Sequence, residues 1–236
     1  MNQFAMAFTP EKLEEAWHVF LTEFPLGLWE TVYVTVLSTL FAIVIGLPLG
    51  ILLVAGDENG IHPMPKPLMK VINVIINFLR SVPFLILIVM VIPLTRAIIG
   101  TSIGSVASIV PLVVAAFPFV ARLVESSLRE LDPNIIEMAQ SMGSTTWQII
   151  TRVMLPESVP SLVTNFTLAI TTILGYTAMS GAMGGGGLGK IAINYGYSRY
   201  KYAVLYLAVI VLVLLVQLFQ TIGTRLAARL DKRIKK

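Results

Sequence analysis

The sequence predicts an all-α integral membrane protein with five transmembrane helices, and three observations carry that reading. Only 13% of the 236 residues are charged while 56% are hydrophobic, with a mean hydropathy of +0.83. A soluble domain would carry roughly 25% charged residues, and disordered chains are poor in apolar ones. Second, several charge-free runs reach the length of about 20 residues that crosses a bilayer core as a helix. Third, the basic residues gather at alternate ends of those runs, as the positive-inside rule requires. The chain has no Cys and only two histidines, His18 and His62, which leaves no disulfide framework, thiolate metal site or all-His metal site.

Residues 1–25 read as an extracytoplasmic amphipathic segment. Thr9 is placed as a helix N-cap, Pro10 at the first helical position and Glu11 in the first turn. Leu13, Ala16, Trp17 and Phe20 follow at helical spacing, which suits a helix lying at the membrane interface. Glu11, Glu14, Glu15 and Glu23 interrupt any apolar core, so the segment does not read as a cleavable signal peptide.

Residues 26–224 form the membrane domain. The first span is the charge-free run from Thr31 to Gly56, closed by a loop that holds Pro63, Pro65 and Pro67. The second runs from Val71 to about Leu94, with Arg80 and Pro83 inside it, and the third from about Ala97 to Ala121. The fourth starts near Ser158 and stays charge-free to Gly189, so it includes a span and part of a loop. The fifth, Tyr202 to Thr224, is followed by a basic tail over 225–236. With the N-terminus outside, eleven basic residues lie inside and five outside (Lys12, Arg96, Lys190, Arg199 and Lys201). That asymmetry places the C-terminus in the cytoplasm, where the tail meets anionic lipid.

The long polar insert, about 129–156, is therefore cytoplasmic. Asp132-Pro133 is a helix-start pair, and a helix from Pro133 to Met142 would stop at Gly143. Thr145 and Gln148 then fit a capping box for a second short helix. Composition alone leaves open whether this is a plain helical hairpin or a docking element.

Glu137-Met138-Ala139, Gly143 four residues on, and Val153-Met154-Leu155-Pro156 resemble the cytoplasmic signature of bacterial ABC-importer permeases. Met138 and Val153 depart from the family pattern by apolar replacement. Arg80 to Phe84, Gly175 to Met179 and Gly184 to Gly189 are similar to the methionine-import branch of that family. The resemblance implies a type I importer permease fold. It implies that Glu137, Met138, Ala139, Gly143, Leu155 and Pro156 belong to a coupling helix seated on a separate ATPase. It also implies a second copy of the chain, two ATP-binding cassette subunits, an extracytoplasmic substrate-binding lipoprotein and a small amino-acid substrate. ATP and Mg would reside on the ATPase, with no cofactor, metal or catalytic residue on this chain, no nucleic-acid partner, and a place in the bacterial inner membrane. Tyr176 and Met179, near the family's translocation path, become candidates for a pore or gate; plain packing is the competing reading of both.

Other signals read blandly. Gly184 to Lys190 nearly matches a phosphate-binding loop, but Ile191 stands where a Mg²⁺-binding hydroxyl belongs, and no strand precedes a dinucleotide fingerprint there. Ser180-Gly181 would need a base within reach to act as a protease nucleophile, and neither histidine is placed near it. Arg80 reads as snorkelling to headgroups, and Arg122 with Glu125 as a surface helix pair. The function expected is a permease subunit of an ATP-driven importer for methionine or a close relative. An ABC permease for another small polar solute is one alternative. A secondary transporter is another, weakened by the lack of internal repeats and mid-span carboxylates. A channel would have to use Gly184 to Gly189 as its filter.

Overall fold

The computed structural model describes residues 9–231. The first eight residues and Lys232, Arg233, Lys235 and Lys236 of the basic tail lie outside them. The described residues are helical throughout, apart from their connections. In chain order they form α1 (Pro10–Thr22), α2 (Phe24–Ala55), α3 (Lys66–Ser81), α4 (Phe84–Ile99), α5 (Ser105–Arg129) and α6 (Pro133–Ser141). Next come α7 (Thr146–Gln148), a π-helical turn over Ile149–Met154, and α8 (Leu155–Ala182). The chain ends with α9 (Gly187–Ile191), a second π-helical turn over Ala192–Tyr197, and α10 (Tyr202–Leu230).

Four of these segments are long and apolar enough to cross a membrane, and α3 with α4 supplies a fifth if the pair is one broken span. The expected second span, Val71 to Leu94, is thus corrected: it is no single rod but two helices bent by 115°. The cause is local. Pro83 disfavours helical geometry at the residue before it, and Val82 accordingly takes the extended conformation, φ −76° and ψ 124°. Arg80, exposed in the last turn of α3, sits just before this break.

The first span also begins earlier than its charge-free run. α2 starts at Phe24 and so includes Glu30, whose carboxylate is satisfied by accepting the Gly187 N–H at 2.6 Å. Polar residues farther along are absorbed by the helix itself. Thr31 and Thr39 donate to carbonyls one turn back, Gly27 O and Thr35 O, at 2.8 and 2.7 Å. At the chain's first helix, Thr9 has the backbone geometry of a cap but makes no side-chain cap bond, so only half of that expectation holds.

The chain folds as two compact units, each drawn from several separate stretches. The unit of residues up to 39, 83–113 and 170–219 has a core of Ala16, Val19, Phe24, Leu174, Leu188 and Val204, with neighbours. The amphipathic α1 is thereby sewn into the fold through its Ala16 and Val19 face. The unit of 40–82, 114–169 and 220 onward packs α2, α3 and α5 around Leu53, Ile76 and Ala121. Gly46 and Gly50 set how closely α2 and α5 approach there. A Cβ on Gly46 would meet Val120 at 2.8 Å, and one on Gly50 would meet Val124 at 2.5 Å. Small residues spaced by four are the usual means of close helix packing in lipid.

Candidate functional site

The insert between α5 and α8 is built on two caps and a glycine. The Asp132 carboxylate accepts the Asn134 N–H at 3.0 Å, and Pro133 opens α6 where a missing N–H costs nothing. Gly143 takes φ +76°; its N–H donates to Gln140 O at 2.9 Å, and the Ser144 N–H donates to Ala139 O at 3.1 Å. That bond pair is a Schellman termination, which needs the left-handed residue that glycine supplies most cheaply. The capping box is complete: the Gln148 N–H donates to Thr145 Oγ1 and the Thr145 N–H to Gln148 Oε1, at 3.4 and 2.9 Å.

These caps hold apolar side chains out in solvent. Met138 is 61% exposed, Met142 79% and Trp147 72%. Glu137 is exposed beside them, whereas Ala139 is buried with Ile149, Ile150 and Met154 nearby in the chain. Leu155 is half-buried and Pro156 exposed at the start of α8, where a proline is tolerated. The sequence-predicted set therefore divides. Glu137 and Met138 face outward, Gly143 sets the joint, and Ala139 belongs to the support. Met142 and Trp147 were not in that set, because the insert holds other apolar residues, such as Ile135, Ile136 and Ile149, that the sequence does not separate from them. Met138, Met142 and Trp147 are thus three exposed apolar side chains within one short capped segment.

The root of the insert is braced within the same unit. Arg122 donates to Glu125 Oε2 at 2.6 Å, to Asn73 Oδ1 at 2.7 Å and to Asn77 Oδ1 at 3.0 Å. The expectation of a surface pair is corrected here: these side chains are only 21% and 14% exposed, and the guanidinium ties α5 to α3. A sequence spacing of three reveals the Glu125 contact but not the asparagines on another helix. Arg129 continues the ladder, donating to Glu125 and to Asp57 at 2.8 Å. That hydrogen bond, helped by the Glu58 N–H, holds the Asp57 carboxyl below the usual carboxylate range. A cavity of about 500 Å³ lies alongside, lined by Asp57, Asn59, Arg129, Glu137, Gln140 and Met154.

In the other unit, Tyr176 is half-buried and stacks on Phe84, with ring centroids 4.5 Å apart and planes at 14°. Met179, one turn on, is 49% exposed. The glycine turn after α8 is a close-packed joint. A Cβ on Gly189 would strike the Ala178 carbonyl, and one on Gly186 would strike Ser105 Oγ and the Glu30 carboxylate. Its amides are already engaged: Gly187 N–H by Glu30, Leu188 N–H by Thr31 Oγ1 and Gly185 N–H by Ser180 O. A phosphate would have to displace those acceptors, which argues against the nucleotide-loop readings. Ser180 is buried and donates to Thr177 O at 2.8 Å, a helix-packing bond rather than an activated nucleophile's.

Broken and glycine-jointed apolar helices, with a capped helix pair between two of them, define a polytopic α-helical membrane protein. Comparison identifies the family. Residues 46–236 match the binding-protein-dependent transport system inner membrane component, and the chain belongs to that family. A probable D-methionine transport system permease protein, MetI, of Pasteurella multocida is 48% identical over 204 residues, covering 86% of this chain and 94% of the relative. The D-methionine transport system permease protein MetI of Escherichia coli K12 is 47% identical over 155 residues, 66% of this chain and 71% of its own. Among solved structures, an inward-facing MetNI methionine ABC transporter aligns with a TM-score of 0.85 at 45% identity, over 87% of this chain and 95% of that one. An amino acid ABC transporter solved with histidines aligns at 0.67 and 18% identity over 99% of both chains, which shows a shared fold alone.

Proposed function

We propose that this chain is the permease subunit of an ATP-driven methionine importer in a bacterial inner membrane. The observation that carries the lever role is the capped tip: α6, the Gly143 joint and α7 present Met138, Met142 and Trp147 to solvent on a braced root. A groove on a separate ATPase would receive that tip, with Glu137 at its rim. The substrate class rests on the D-methionine permeases that the chain resembles over most of its length. Two copies related by a two-fold axis would place one path on that axis, and each would offer its tip to one ATP-binding cassette subunit. ATP and Mg would be held by those subunits. Nucleotide binding there would bias inward- and outward-facing states through the tips. A substrate-binding lipoprotein would deliver the amino acid at the outer face, the side on which the charge asymmetry places the N-terminus. Tyr176 and Met179 would line the path. A stacked ring and a pliable thioether suit a constriction that opens without strain.

Reconstitution tests this reading. Proteoliposomes holding this chain, its ATPase and its binding protein are expected to take up labelled methionine only with hydrolysable ATP inside. Uptake by this chain alone on an ion gradient would overturn the proposal.

A further inference from the structure

The transport reading makes the insert a lever, and a lever needs a stiff joint at its root. Between α5, which ends at Arg129, and the Asp132 cap of α6 stand only Glu130 and Leu131. Each residue of that link brings two soft backbone dihedrals, so α6 could swing about it. Burial of Leu131 and Ala139 holds the insert down, but hydrophobic contact is non-directional. Direction must come from polar groups with fixed geometry.

Arg129 supplies it. Its Nε donates to Glu125 Oε1 at 3.1 Å, one turn back on α5, and its Nη2 to Asp57 Oδ2 at 2.8 Å. One planar guanidinium, with its donors in a rigid fork, thus joins the end of α5 to the loop after α2. That loop is a firm anchor. Its Gly60, His62 and Met64 N–H groups donate to the Asp57, Ala55 and Gly56 carbonyls at 2.9, 2.9 and 3.0 Å. A Cβ on Gly60 would strike the Ala55 carbonyl, and Pro63, Pro65 and Pro67 restrict the backbone further. The other Asp57 oxygen accepts the Glu58 N–H at 2.9 Å, which aims the carboxylate at Arg129.

Through Glu125 the ladder runs on to Arg122, and so to Asn73 and Asn77 of α3. The root of the insert, the loop and α3 are thereby cross-linked by directional bonds within one compact unit. The two halves of the ladder differ in burial. The Arg122 and Glu125 side chains are largely buried, so truncating either strands a charge and endangers the fold. Arg129 and Asp57, 49% and 44% exposed, form a pair that adds little to stability. A fixed bridge of small thermodynamic weight at the root of a lever is suited to passing on displacement. We propose that Arg129 is a positioning residue for coupling. Clamped to Asp57, it makes the insert move as one body with the loop 56–65 and α3. Displacement of the tip then reaches that helix instead of dissipating at Glu130 and Leu131. The clamp stands on its geometry, whereas its part in coupling rests on the transport reading.

The test uses the full chain assembled with its ATPase and binding protein. Methionine taken up per ATP hydrolysed is measured for Arg129→Gln, Asp57→Asn and the double variant, beside the thermal midpoint and the bound ATPase. Each single change is expected to lower that ratio several-fold. The double variant should fall no further than Arg129→Gln alone, because the same contact is lost in both. The midpoint and ATPase binding should stay at wild-type values. Lys66→Gln, which removes only an exposed pair with Glu58 on the same side of α3, should leave the ratio unchanged. A midpoint or ATPase binding that falls with the ratio would overturn the proposal in favour of plain structural support. An unchanged ratio, additive single losses or an equal loss in Lys66→Gln would overturn it too. Spin labels on cysteines at His62 and Ser141, both exposed in this Cys-free chain, read the clamp directly. Their distance distribution should broaden in Arg129→Gln, and an unchanged width would overturn the clamp. That measurement needs neither methionine nor ATP. Absence of ATP-dependent uptake in the wild type would therefore count against the transport reading, with the clamp still decided by the distances.

Discussion

At the scale of single residues, Gly143 is the most exposed to test. An added Cβ would meet nothing within 4 Å, so substitution is not opposed by a clash. The whole penalty is backbone: φ +76° costs an ordinary L-residue about 1–2 kcal/mol, and a β-branched one more. Gly143→Val should therefore turn α6 away from α7, whereas Gly143→Asn, a residue that tolerates the left-handed region, should be much milder. A penalty of that size lowers the equilibrium constant for the seated tip by roughly tenfold, since about 1.4 kcal/mol is tenfold in the constant. ATP-dependent uptake and the amount of ATPase bound to purified permease measure this. Glu137→Ala should lower both less, because an exposed charge contributes little. Wild-type uptake in Gly143→Val at normal expression would leave the insert a plain hairpin. The motif residues were legible in sequence because caps and glycine terminators are local chemistry. Met142 and Trp147 were not, since nothing in their spacing tells an exposed apolar residue from a buried one.

At the scale of elements, α2 against α5 gives the sharpest expectation. Gly50 approaches the Ala121 carbonyl and Val124 so closely that any side chain must push the helices apart. Gly50→Val should cost about 1–3 kcal/mol, the usual range for overpacking. A lower thermal midpoint of the purified protein would record it, and an unchanged midpoint would mean that the two helices do not meet there in the membrane. Helix ends were largely legible in advance: Asp132-Pro133, Thr145 with Gln148, and Gly143 all sit where expected. The bend at Val82 was not, although Pro83 was in plain view. A proline states that the preceding residue leaves the helical region, but the turn through 115° depends on what packs around each half. The same holds for Arg122, whose asparagine partners lie 49 and 45 residues away in sequence.

At the scale of the whole molecule, orientation is the expectation to examine. Single cysteines at Ser144 and Ser198 in this Cys-free chain should label from inside and outside respectively with a membrane-impermeant maleimide. Labelling of both from one side would mean that the segment from α8 to α9 does not cross. The sequence by itself determined that the chain is a helical membrane protein and where the polar insert falls. Those properties follow from hydrophobic length and charge asymmetry, which the bilayer reads one segment at a time. Tertiary structure alone decided that α1 is stitched into a core through Ala16 and Val19, and that Glu30 closes the glycine turn. It alone decided that Arg122 joins two helices. Each of these joins residues far apart in the chain. In lipid such contacts are selected by close packing and by the need to satisfy polar groups, and neither leaves a periodic trace in the sequence.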